Sequence, residues 1–121
     1  MIPPIFPLCN ASAAVTALLG ANPLRLYPFG EAPQGVIKPY AVWQTITGVP
    51  ENYLAGRPDA DYYTIQLDVY GDTDTQVLAA ARAIRDAVEL KAYVTAWNGE
   101  GRDTETKNYR FTMSIDFIVD R

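Results

Sequence analysis

There is no histidine in the 121 residues, and there is a single cysteine, Cys9. The first absence removes Ser-His-Asp and Cys-His catalysis together with every His-containing zinc site. The second removes an intramolecular disulfide and any thiolate cluster. A lone Cys near the start reads as an inert thiol and suits a reducing, cytosolic compartment. Long apolar runs are missing too, since none approaches the ~20 residues of a membrane-spanning helix. The opening "MIPPIFPLCNAS" has no basic residue, the first being Arg25, so it does not read as a cleaved secretory signal. Basic residues are scarce: 10 against 14 acidic ones, for a net charge of −4, and they form no run. A protein that grips nucleic acid needs a basic face, because neutralising phosphates supplies most of that affinity. The composition therefore argues against coating nucleic acid, and leaves open surrounding it without sticking.

What is present is a folding composition, 49% apolar and 20% charged. The length predicts one domain over 1–121, with 1–9 a Pro-rich extended arm and 10–121 an α+β core. Pro3, Pro4 and Pro7 argue against a central strand in the arm. "NASAAVTALLGANP" reads as a short helix with the stripe Val15, Leu18 and Leu19, ended by Gly20 and Pro23. "LRLYPFG" reads as a weak strand and "YAVWQTITG", Tyr40 to Gly48, as a β-rich one. "DYYTIQLDVYG" alternates strictly: Tyr63, Ile65, Leu67 and Val69 on one face, Tyr62, Thr64, Gln66, Asp68 and Tyr70 on the other. "DTDTQVLAAARAIRDAVEL" is the clearest helix, with Thr73 and Gln76 at capping-box spacing and Val77, Ala81, Ile84 and Val88 as its sheet-facing stripe. "KAYVTAWNG" is a strand, "NGEGRDTETK" a charged hairpin loop, and "NYRFTMSIDFIVD" a second alternating strand. The order predicts a two-layer α+β sandwich. Its mainly antiparallel sheet has about four to five strands, two helices pack on one face, and the polar face stays open.

Candidate chemistry is sparse. The string from Asp72 to Gln76 has the look of a phosphotransfer aspartate motif, yet helix capping accounts for each of its residues. Asp68 and Asp116 lie on polar strand faces, where paired carboxylates could do glycosidic acid–base work only if one were held in apolar surroundings. Their neighbours Gln66, Tyr70, Thr112 and Ser114 are polar. Gly99-Glu100-Gly101 lacks the Lys-Ser/Thr of a phosphate loop. Arg82/Asp86 and Arg85/Glu89 are spaced as i,i+4 pairs on a helix flank. No catalytic residue, cofactor or metal ligand emerges. Aromatics are plentiful, including eight Tyr and two Trp. Tyr53, Tyr62 and Tyr70 fall outside the inward faces, as suits a contact with another protein.

The stretch "PYAVWQTITGVPENYLAGRPDADYYTIQLDVYGDTDTQVLAAARAIRDAV", closed by "YRFTMSIDF", resembles the tail completion, or tail terminator, proteins of long-tailed bacteriophages. The resemblance runs over Tyr40 to Val119 and implies a non-enzymatic virion protein. Its expected form is a ring, usually a hexamer, that caps the tail tube at the head–tail junction. Its expected partners are further copies of itself, the tail tube protein and a head connector or head-completion protein. Genomic DNA would pass through the lumen unbound, assembly would occur in the host cytoplasm, and no membrane or cofactor is implied. A ring needs heterologous contacts. The Pro-stiffened loop with Pro50, Glu51, Asn52, Tyr53, Leu54 and Arg57 is the first interface candidate, because little ordering entropy is lost when it docks. The charged hairpin with Glu100, Arg102 and Asp103 is the second. Two other readings stay open: a head-closure or minor tail component, and a small-molecule-binding domain with the 48–60 loop as lid over Tyr62, Gln66 and Tyr70.

Overall fold

Thr73 starts the longest helix. Its backbone is extended, its Oγ1 accepts the Gln76 amide at 3.1 Å, and Gln76 Oε1 accepts the Asp72 amide at 2.7 Å. The first bond satisfies a donor that the first turn leaves orphaned, the second ties down the amide just before the cap, and Asp74 complements the helix dipole. The helix, α3, runs Asp74–Val88. Its expected stripe of Val77, Ala81, Ile84 and Val88 is buried, and so are Ala80, Ala83 and Ala87. So wide a buried face serves two surfaces: the sheet, and the short helices α1 (Ile5–Asn10) and α2 (Ala13–Leu19).

This computed structural model describes residues 2–50, 56–57, 59–102, 104 and 106–120. Its strands are β1 (Leu26–Pro28), β2 (Tyr40–Pro50), β3 (Ala60–Gly71), β4 (Ala92–Arg102) and β5 (Tyr109–Asp120). They form one sheet in the order β1-β2-β3-β5-β4, antiparallel except for the parallel β1–β2 pair. The last strand thus lies between β3 and β4, and β4 is left at an edge. The alternation expected for β3 and β5 holds: Ile65, Leu67, Val69, Met113, Ile115 and Phe117 are buried and join the helices in one core. The polar residues between them line the opposite face. The result is the expected two-layer α+β sandwich.

Two expectations need correcting. The arm is not extended: Ile5–Asn10 is helix, and Ile5 and Cys9 are wholly buried. Pro7 is tolerated because it sits in the first turn, where its missing N–H costs no intrahelical bond. The helices therefore number three, not two, among the described residues. The charged hairpin is also shorter than expected, because β4 continues through Gly99, Glu100 and Gly101 to Arg102, opposite Tyr109. Backbone pairing does not depend on side chains, and bulges between Val94 and Ala96 and between Trp97 and Gly99 absorb the irregularity.

Gly20 ends α2 at φ 85°, ψ 165°, a region essentially reserved for glycine. A Cβ there would lie 2.5 Å from Arg25 Nη1. Arg25 clasps this corner, donating from Nη2 to the Leu18 carbonyl and from Nε to the Pro39 carbonyl, each at 3.1 Å. Gly20→Ala is expected to cost about 1–3 kcal/mol, read as a lowered denaturation midpoint at unchanged slope.

Candidate functional site

The first interface candidate falls mostly outside the described residues: Glu51, Asn52, Tyr53 and Leu54 all do. Pro50 is the last residue of β2, exposed and opposite Asp61, and Arg57 is exposed in the connection that follows. Of the second candidate, Asp103 is likewise outside. Glu100 and Arg102 lie in the last turns of β4 on its helix-facing side, opposite Phe111 and Tyr109.

There they meet α3. A groove runs between α3 and the β4 edge in two stretches, of about 250 Å³ and about 130 Å³, both bordered by Leu78. Glu100, Arg102 and Tyr109 line the first; Arg82, Trp97 and Phe111 line the second. Two cations lie over rings: the Arg102 guanidinium 5.0 Å from the Tyr109 centroid and that of Arg85 5.9 Å from the Trp97 centroid. Arg85 Nε is 3.3 Å from Glu89 Oε1, close enough for attraction though not aligned for a hydrogen bond. The expected Arg82/Asp86 pair is not formed; Asp86 lies 3.8 Å from Arg85 instead. Arg82 therefore has no ion-pair partner among the described residues. Sequence reading placed Trp97 in a strand but did not mark it as a site residue. Its place at the groove follows only from the strand order, which puts β4 at the edge.

The open face of the sheet is a ladder of polar pairs. Asp68 accepts from Thr112 Oγ1 at 2.7 Å and from Arg110 Nη2 at 3.2 Å. Asp116 accepts from the Tyr62 hydroxyl and, at 2.9 Å, from Thr64 Oγ1. Asp68 faces Thr112 across the ladder, so the two carboxylates are four positions apart along the strands, roughly 13 Å. Glycosidase pairs need ~5–9.5 Å, and both carboxylates are spent on structural bonds. Tyr40 and Tyr70 stack at 5.1 Å, and burial pushes the Tyr40 phenol above its ordinary range, partly offset by the Lys38 cation. The three residues of the lid reading do not converge. Gln66 and Tyr70 line two neighbouring open clefts that meet at Gly101 and Arg110 rather than one pocket, and Tyr62 is turned to Asp116.

The string from Asp72 to Gln76 is spent as well, on the α3 cap and on a 3.3 Å ion pair between Asp72 and Lys38. Among the described residues no group of three or more Cys, Asp or Glu could hold a metal, and no helix is long and apolar enough to cross a membrane. Large apolar side chains stand out in solvent instead: Tyr93 is 70% exposed, Trp97 62%, Ile118 55% and Val49 47%. The register puts Val49, Tyr62 and Ile118 in one row across the open face, at the end where β2 leaves the sheet.

An edge and an end that expose apolar side chains suit assembly better than chemistry, and the comparisons agree. No curated protein matches the sequence significantly. A chain from the virion of a native gene transfer agent particle superposes with a TM-score of 0.75 at 17% identity, over 97% of this chain and 92% of that one, which shows a shared fold. The pattern of the tail completion protein gp17 family matches residues 3–120, nearly the whole sequence. The chain belongs to that family, and it is a structural component of the virion tail, not an enzyme.

Proposed function

We propose that the chain is a ring-forming tail terminator, a hexamer in its working state. It caps the tail tube and presents the surface to which the head-completion protein joins. The observation that supports this reading is the placing of its exposed apolar side chains. Trp97 lines a groove at the sheet edge, whereas Val49 and Ile118 lie at the far end on the other face. Two unlike apolar patches on one subunit are what a head-to-tail ring requires, since each copy offers one patch and receives the other. Isolated exposed apolar residues would need no explanation; grouped ones mark contacts.

In this role the chain works at the head–tail junction, after assembly in the host cytoplasm. Its tail-side partner is the tube protein. Genomic DNA passes through the lumen without specific contacts, helped by the net charge of −4. The loop of Pro50, Glu51, Asn52, Tyr53, Leu54 and Arg57 reaches the adjacent subunit or the tube.

Native mass over a range of concentrations, alone and with tail tubes, tests the reading. A discrete closed oligomer, six subunits in the full case, is expected. Replacing Tyr53 and Leu54 together with Ser is expected to weaken association by roughly tenfold or more at unchanged monomer melting. A large loss of monomer stability would instead make the pair core residues. A protein that stays monomeric even with tube ends would overturn the ring.

A further inference from the structure

The groove between α3 and β4 carries a charge pattern that complements the far end of the same sheet. Three guanidiniums line it, those of Arg82, Arg85 and Arg102, against the carboxylates of Asp74 and Glu100, while that of Arg110 is turned to Asp68 on the open face. Three of the chain's 10 basic residues thus gather along one groove, and Arg85 is already engaged by Glu89. Arg82 is exposed and, among the described residues, without an ion-pair partner. The apolar part of the groove is Leu78, Trp97 and Phe111.

The far end has the opposite character. Beyond the row of Val49, Tyr62 and Ile118 lie Asp59 and Asp120, with Asp120 directly across from Ala60. Arg57 is the one cation there among the described residues. Asp59 and Asp120 are exposed, and neither has an ion-pair partner among the described residues. Each patch thus pairs an apolar centre with exposed charge that has no ion-pair partner among the described residues, Arg82 in the groove and Asp59 and Asp120 at the end, and the signs are opposite.

One copy cannot bring the two together. The groove opens beside Tyr109 and Ile118 lies nine residues further along β5, a span of roughly 30 Å, and the patches are on opposite faces. We infer that the acidic end of one copy, with Val49 and Ile118, docks in the arginine-rich groove between α3 and β4 of the next. This rests on the ring-forming reading and names the two surfaces that close the ring. Addition of a partner strand along β4 is a poorer fit. The bulges at Val94/Ala96 and Trp97/Gly99 interrupt the ladder and twist the edge, a device that opposes strand pairing.

Charge reversal tests the contact. Arg82→Glu with Arg102→Glu inverts the groove, and Asp59→Lys with Asp120→Lys inverts the end. All four residues are exposed, so monomer melting should barely move. Association of the full chain is followed by native mass at low salt, free and on tail tubes. Each double variant is expected to associate roughly a hundredfold more weakly than wild type, through like-charge juxtaposition. The quadruple variant, with both patches inverted, is expected to recover to within about tenfold of wild type, because complementarity returns. If wild type assembles and the double variants assemble equally well, the groove is not the docking surface, while the ring stands. If the quadruple variant stays as weak as the doubles, the two patches do not face each other. If wild type never assembles, on tubes or off, both the contact and the ring fall together.

Discussion

Phe117→Ala should remove about 3–5 kcal/mol of stability, a fifth or more of what a domain of this size ordinarily has. Phe117 is 1% exposed and is the largest of the fully buried side chains. It sits on β5 opposite Tyr63 of β3 and Ala92 of β4 and belongs to the core packed between sheet and helices. Truncation loses the transfer free energy of the ring and leaves a cavity that three packed elements cannot collapse to fill. Its neighbour Ile118 is 55% exposed on the other face, and Ile118→Ser should change stability by less than about 0.5 kcal/mol. Urea unfolding of both variants checks the contrast. A small loss for Phe117→Ala would mean that the core relaxes around it. A large loss for Ile118→Ser would mean that Ile118 serves the fold rather than a contact between copies.

That neighbouring pair shows why much of the fold was legible. Period-two alternation in β3 and β5 separates inward from outward residues without any knowledge of partners, because a strand turns successive side chains to opposite faces. The α3 cap was equally local. Thr73 and Gln76 are three residues apart and bond each other's backbone surroundings whatever the rest of the chain does. The beginning of the chain was illegible for an equally physical reason. Three prolines in seven residues suggest extension, but proline is costly in a helix only beyond the first turn, and α1 keeps Pro7 within it. The end of β4 was missed because Gly99 and Gly101 read as turn residues, whereas pairing with β5 holds their backbone in the ladder.

The candidate site was only half legible. Glu100 and Arg102 were marked as an interface on charge alone, and the structure does bring them to a groove. What the sequence did not reveal is the other wall. Leu78, Arg82 and Trp97 become neighbours only because β5 inserts between β3 and β4, and strand order is a property of the whole chain rather than of any segment. Arg82 illustrates the point. By spacing it belonged to an ion pair with Asp86 on one helix flank. In the fold Asp86 turns toward Arg85, and the Arg82 guanidinium remains available at the groove.

The cysteine offers a direct check on the docked first helix. Cys9 is wholly buried, and burial pushes its thiol from an ordinary value of 9.0 to about 12. At pH 8 the thiolate fraction should fall by roughly a thousandfold relative to an exposed thiol, and alkylation should slow by at least that factor. An extended, solvated arm would instead leave Cys9 labelling at the rate of a free peptide, and that result would undo α1. The sign of the linked pH effect follows from the direction of the shift. Below pH 9 both folded and unfolded chains keep the proton and this stabilisation is fully present. As pH rises from 9 toward 12 the unfolded chain releases a proton that the folded chain holds, so stability is lost through that window. Because labelling then proceeds through opening, a destabilised core should speed it. Phe117→Ala, which touches nothing in α1's sequence, is expected to accelerate alkylation of Cys9 by roughly a hundredfold or more if the helix and the sheet open as one unit. No acceleration would mean that α1 opens on its own.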